Sequence, residues 1–108
     1  MTEERLIKRL KTKTTTECLW PYILALLKEK PVYAYEIRQM LEEKFGFEVG
    51  QVTSYMVLYK LETDGYVKTE WRNVENRQRK YYTITDGGTK ALNESVRYFQ
   101  ETLARLNC

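Results

Sequence analysis

The sequence predicts a mostly α protein with one small β-hairpin (α+β): a winged helix-turn-helix unit followed by a long C-terminal dimerisation helix. Three observations carry that prediction. Apolar residues recur at helical spacing through the first 65 positions, interrupted by short turns. Between residues 66 and 85 the pattern switches to β-branched and aromatic residues around a polar turn. From residue 86 the helical period returns and runs close to the C-terminus.

The first helix is short, with Leu6, Ile7 and Leu10 on one side, and Thr14-Thr15-Thr16 separates it from the second. Thr16 is the expected N-cap of that second helix, and Pro21 is tolerated because it falls near the start. From Leu19 to Leu27 the chain is apolar almost all round, the mark of a helix buried in a core. Lys28-Glu29-Lys30-Pro31 ends it. A helical pattern resumes at Ala34 with Ile37, Met40, Leu41 and Phe45, and Gly46 is a natural stop.

After a turn through Phe47, Glu48, Val49 and Gly50, another helix is expected from about Gln51 to Thr63, closed by Asp64-Gly65. Ser54, Leu58 and Leu61 share one of its faces, with the two leucines as inward anchors. Helix, turn of a few residues, helix is helix-turn-helix spacing. Tyr66 to Arg72 and Arg79 to Thr85 read as strands, with polar Asn73 to Gln78 as the turn between them. Thr85-Asp86 caps a last helix reaching about Leu106. Within it Leu92, Val96, Phe99, Leu103 and Leu106 step by four and three, an a/d seam. Two readings of that seam stay open: packing across a dimer interface, or docking on the chain's own core. Residues 1–85 then form a winged helix DNA-binding part with an N-terminal helix, and residues 86–108 the dimerisation helix, in one compact domain overall.

Composition narrows the function classes. A 108-residue chain with 43% hydrophobic residues can build a compact core but not a deep enclosed active site as well. No apolar run approaches the roughly 20 residues a membrane span needs. The charged N-terminus does not read as a signal sequence, so the cytoplasm is the expected location. There is no histidine, and Cys18 and Cys108 lie too far apart in sequence for a disulfide framework or a metal site. Neither cysteine has an evident base, and Gly87-Gly88 opens a helix without a phosphate-loop lysine pattern. No enzyme activity, cofactor or metal is expected.

Net charge is only +3, but it is unevenly distributed. Residues 1–13 and residues 66–82 each carry five basic and two acidic side chains, whereas residues 14–65 carry five basic and eight acidic. The two basic stretches can follow a phosphate backbone if they share a face; the N-terminal one is equally well read as solvated surface. Arg72, Arg77, Arg79 and Lys80 cluster at the hairpin, where little apolar surface gives them a packing role. In a winged helix the second helix of the helix-turn-helix enters the major groove, and the hairpin lies along the backbone or a minor groove. Gln51, Thr53, Tyr55 and Lys60 lie off the leucine stripe and can offer hydrogen bonds there, Gln51 to adenine and Thr53 or Tyr55 to phosphate. Ser54 is grouped with these candidates, and Tyr35 is a further phosphate contact, whereas Tyr59 is assigned to packing. Met56 and Val57 have two open readings, thymine methyls or neighbouring helices.

Tyr33-Ala34-Tyr35-Glu36-Ile37, then Thr53-Ser54-Tyr55 with Leu58, Leu61-Glu62 and Gly65, then Arg79-Lys80-Tyr81-Tyr82 with Thr85 and Gly88, resemble three motifs of PadR-family transcriptional regulators. The likeness covers roughly Leu19 to Leu92, with Ala34 departing from an expected glycine. Ending after one C-terminal helix, the chain is similar to the short subfamily. The resemblance implies a homodimer joined through the C-terminal helix and helped by the N-terminal one, with Leu6 and Leu10 joining Leu92, Val96, Phe99, Leu103 and Leu106. It further implies repression from an inverted repeat in double-stranded DNA, relieved by a small hydrophobic or aromatic effector. Trp20, Tyr98 and Phe99 are the candidates for an effector pocket, with plain core packing as the other reading. The competing function is a winged-helix docking or architectural module without sequence-specific DNA binding.

Overall fold

A computed structural model describes all 108 residues. Helix α1 (Glu3–Thr14) is capped by Thr2, whose hydroxyl accepts from the Arg5 amide, and carries acidic residues in its first turn and lysines in its last. That charge order suits the helix dipole. None of its residues is buried. The threonine run does not start the next helix as expected. The Thr14 hydroxyl donates back to the Leu10 carbonyl at 2.7 Å and that of Thr16 to the Thr12 carbonyl at 3.3 Å. Such back-bonding uses the hydroxyls to finish α1. A 3₁₀ turn (Thr16–Cys18) follows, and Leu19, not Thr16, occupies the cap position of α2 (Trp20–Glu29).

Helix α2 is the centre of the core, with Pro21, Ile23, Leu24, Leu26 and Leu27 buried. A two-residue strand β1 (Val32–Tyr33) comes next, then a 3₁₀ turn (Ala34–Glu36) and α3 (Ile37–Phe45). Gly46 ends α3 at φ 74°, a left-handed conformation that an L side chain resists, and its amide donates to the Glu42 carbonyl. Helix α4 spans Gln51–Thr63. Strands β2 (Val67–Val74) and β3 (Arg77–Ile84) form the hairpin, and β1 adds to β3, giving the antiparallel order β1-β3-β2.

The hairpin turn is two residues, Glu75 and Asn76, both at positive φ (52° and 63°), and not the expected six-residue turn from Asn73 to Gln78. Two consecutive left-handed residues match the twist of the flanking strands. The polar residues around them are strand residues that run beyond the core, so polarity there reports exposure of both faces.

Helix α5 (Asp86–Leu106) is capped by Thr85, whose hydroxyl accepts from the Gly88 amide at 3.1 Å and donates to the Gly65 carbonyl at 2.7 Å. Its first half packs on α2, with Gly88, Leu92 and Ser95 buried. Leu92 therefore belongs to the chain's own core, which corrects its expected place in the dimer seam. The later seam positions Val96, Phe99, Leu103 and Leu106 stay exposed, as do Leu6, Ile7 and Leu10 on α1. The expected boundary at residue 86 does not separate two cores, because α5 enters the one formed by α2, α3, α4 and the sheet.

Candidate nucleic-acid interface

The helix-turn-helix is α3, the five residues 46–50 and α4. Val49 is buried and its carbonyl accepts from Arg38 Nε at 2.9 Å, so the turn is tied to α3 by packing and by a hydrogen bond. Gly50 caps α4 without a side-chain hydrogen bond. Ser54, Leu58 and Leu61 face inward, the spacing of a helical stripe. Ser54 is 0% exposed and its hydroxyl has no partner. That removes it from the candidate contact residues: it lies on the leucine face and cannot reach anything outside the chain.

The opposite side of α4 is unexpectedly apolar. Val52, Met56 and Tyr59, spaced by four and three, are 73%, 66% and 69% exposed. Tyr59 is thus not a packing residue. Gln51 and Tyr55 flank this line on one side, with the Gln51 amide donating to the Tyr55 hydroxyl at 3.2 Å. Thr53 and Lys60 are also exposed. Val57 is half-buried among neighbouring side chains, which settles its two readings in favour of packing, whereas Met56 points out.

Strand register sorts the hairpin cations. Arg72 faces Arg79, Glu70 faces Tyr81, Trp71 faces Lys80, and Tyr33 of β1 faces Tyr81. Facing residues share a side of the sheet, and successive residues alternate. Arg72, Arg77, Arg79, Tyr81 and Tyr33 therefore lie on one side, and Trp71, Lys80 and Tyr82 on the other. On the first side Arg72 sits 4.7 Å from the Tyr81 ring centroid and Arg79 5.1 Å from that of Tyr33. Exposed Tyr35 extends the row, its ring 6.1 Å from Tyr33. Arg72 also hydrogen-bonds Glu70, through Nε at 2.8 Å and through Nη2. A planar guanidinium held on an aromatic ring, as Arg79 is on Tyr33, keeps its outward N–H groups free for phosphate, whereas Arg72 is already paired with Glu70.

Lys80 is separated from this group. It lies 3.7 Å from Glu62 of α4, whose other oxygen accepts from Thr69 of β2 at 3.0 Å. One carboxylate thus joins both hairpin strands to the end of α4. Glu62 escaped sequence reading as a structural link; its place one position after the inward Leu61 was the available signal.

The expected effector residues do not come together in one groove. Trp20 lines an apolar groove of about 650 Å³ with Leu19, Met56, Val57, Leu61 and Ala91, and Tyr98 and Phe99 are not part of its wall. Those two pack on each other on exposed α5, ring centroids 6.0 Å apart. No cluster of three or more histidine, cysteine, aspartate or glutamate side chains is placed to hold a metal ion, and no helix is long and apolar enough to cross a membrane.

A helix-turn-helix whose second helix is exposed along one side, followed by a two-stranded hairpin carrying paired arginines, defines a winged helix domain of the transcriptional-regulator class. Comparison with known proteins narrows the class. Residues 23–94 match the model of the transcriptional regulator PadR-like family, and the chain belongs to that family. A transcriptional regulator of Mycobacterium tuberculosis is 36% identical over 84 residues, covering 78% of this chain and 77% of that protein. A PadR-like transcription factor from Bacteroides fragilis superposes with a TM-score of 0.76 at 30% identity, over 92% of this chain and 96% of that one. PadR of Bacillus subtilis, solved in complex with operator DNA, superposes with a TM-score of 0.66 at 26% identity, over 73% of this chain and 45% of that longer one.

Proposed function

We propose that this PadR-like regulator binds double-stranded DNA sequence-specifically as a homodimer, and that it represses transcription from an inverted repeat. The observation that carries the reading is the occurrence in one fold of an exposed α4 and an arginine-bearing hairpin, the two elements a winged helix lays on DNA. The operator complex of the Bacillus subtilis relative supports DNA as the partner. In this reading α4 enters the major groove, with Gln51 reading adenine and Thr53, Tyr55 and Lys60 bonding base edges or phosphates. Arg72, Arg77 and Arg79 follow the backbone, with Tyr35 at the end of their row. Lys80 acts mainly by fixing the hairpin angle through Glu62.

Dimerisation is assigned to residues 86–108, through the exposed line Val96, Phe99, Leu103 and Leu106, helped by Leu6 and Leu10 of α1. A 108-residue monomer leaving so many large apolar side chains in water calls for a partner surface. Residues 1–85 hold the DNA-binding elements. A small hydrophobic or aromatic effector is assigned to the aromatic side chains near that interface, Tyr98 and Phe99, or to the groove beside Trp20. The protein works in the cytoplasm, where bacterial-type regulators meet DNA, and performs no catalysis.

Selection from a randomised duplex pool at near-physiological salt tests the proposal. Enrichment of an inverted repeat with half-sites about one helical turn apart is the expected result. Enrichment of nothing, with and without candidate ligands, would leave the docking-module reading in its place.

A further inference from the structure

From the outermost line of α4 we infer which feature of the operator is read: the chain recognises thymine through its C5 methyl group, by contact with Val52 and Met56. The inference rests on the DNA-binding reading and adds the chemistry of its specificity. In a groove-entering helix the N-terminal turns come nearest the base edges. Here those turns present Val52 and Met56 at 73% and 66% exposure, directly opposite buried Ser54 and Leu58. Neither side chain can donate or accept a conventional hydrogen bond. Polar Gln51, Thr53 and Lys60 lie to the sides of the line.

Thymine is the one base that offers an apolar group in the major groove. Against it the valine methyls and the methionine thioether bury apolar surface on both partners. Against a G·C pair the same side chains would cover N7, O6 and the N4 amino group without replacing their water hydrogen bonds, and buried polar groups without partners are penalised. The line therefore selects for thymine and rejects guanine and cytosine.

Charge complementarity identifies the occupant of this apolar line. Arg72, Arg77 and Arg79 stand on the hairpin that follows α4, Lys60 stands on α4 itself, and residues 66–82 carry five basic against two acidic side chains. An exposed apolar strip flanked by Lys60 and followed in the chain by a net-basic hairpin matches a polyanion whose floor carries methyl groups. An apolar protein partner would offer nothing to neutralise Lys60, Arg77 and Arg79, which, unlike Arg72 with Glu70, have no carboxylate within ion-pair distance.

The test uses the full chain and the duplex recovered by random selection, with uracil replacing thymine one position at a time. Uracil keeps every hydrogen-bonding group and lacks only the methyl. Fluorescence anisotropy at fixed salt should show one or two positions per half-site where uracil weakens binding about fourfold per methyl, and no effect elsewhere. Val52→Ala and Met56→Ala alter exposed positions and should leave the melting temperature unchanged. Each should bind the thymine and uracil duplexes alike at its own position, with the parent's salt dependence. Parent affinity for every uracil duplex would overturn the inference while sequence-specific binding stood. A pool that yields no preferred duplex would overturn the DNA reading on which it rests, and self-association lost in Met56→Ala would assign the line to a second copy of the chain.

Discussion

Gly88→Ala should destabilise this protein even though alanine is the better helix former. Gly88 lies in the first turn of α5, where the substitution gains up to roughly 1 kcal/mol of helix propensity. The added Cβ, however, would sit 2.2 Å from the Tyr66 carbonyl oxygen and 2.7 Å from Ile84 Cγ1. Relieving those contacts requires α5 to lift from the end of the hairpin by about 1 Å, and overpacking of this kind costs typically about 1–3 kcal/mol. The Tyr66 carbonyl also accepts from the Thr85 amide at 3.1 Å, a bond such a shift weakens by about 1 kcal/mol. The net expectation is a loss of about 1–3 kcal/mol, a fall in melting temperature of several degrees to more than ten. Gly87→Ala is the internal control, because its Cβ meets nothing closer than 3.6 Å. Thermal unfolding of the two variants decides the matter. If Gly88→Ala melts at or above the parent, α5 is not seated on the Tyr66 carbonyl, and the direction assigned to α5 fails with it.

On the hairpin, Arg77→Ala combined with Arg79→Ala should weaken binding to all duplexes and flatten the salt dependence by up to roughly 0.9 per cation removed. Lys80→Ala should change that slope little, since Lys80 lies on the other side of the sheet beside Glu62; equal slopes for the parent and the double variant would refute the assignment. Phe99→Glu with Leu103→Glu should give monomers by light scattering and loss of operator binding, and a dimeric double variant would move the interface elsewhere. Burial, and secondarily the nearby Cys18 thiol, push the Tyr22 phenol above its ordinary value of 10.0. A raised folded value favours the protonated form, so this contribution is complete below about pH 10 and is lost as pH rises through the folded value. Urea unfolding across alkaline pH should show that decline in the parent and a smaller one in Tyr22→Phe, which also loses the 2.7 Å bond to the Thr14 carbonyl. Identical alkaline profiles would refute the assignment.

The order of elements was legible because each announces itself by period or by punctuation. The limits expected for α4, Gln51 and Thr63, are those observed, since Gly50 and Asp64-Gly65 bracket it. Thr85 was recognisable as a cap because a threonine followed by Asp86 opens the last amphipathic run. Strand β1 was not legible: two residues are too few for any alternation, and Val32 and Tyr33 become a strand only because β3 offers its free edge. The split of the hairpin cations was hidden for a related reason. Alternation places Arg79 and Lys80 on opposite sides, but only the register reveals that Lys80 finds Glu62 and Arg79 finds Tyr33. Leu92 and Val96 read alike in the heptad step, yet the chain buries the first and exposes the second, because α5 outruns the core within a turn of Ser95.

Helix α4 explains why hydrophobicity alone misplaces a functional surface. It carries apolar residues on both sides, with Leu58 and Leu61 turned in and Val52 and Met56 turned out, while its one fully buried polar side chain, Ser54, faces the core. Reversed assignments of this kind follow if the helix serves two partners at once. A small Ser54 lets α4 approach its neighbours closely, and apolar Val52 and Met56 leave its outer line without charge. The charge then has to come from elsewhere, and it does: α4 has a single cation, Lys60, whereas the hairpin has Arg72, Arg77 and Arg79 on one side. Phosphate contacts fix position without reading sequence, and base-edge contacts read sequence while adding little charge neutralisation. Under the proposed DNA-binding reading, the division between an arginine hairpin and a nearly uncharged helix is the division between affinity and specificity, with Glu62 linking the two elements through Thr69 and Lys80.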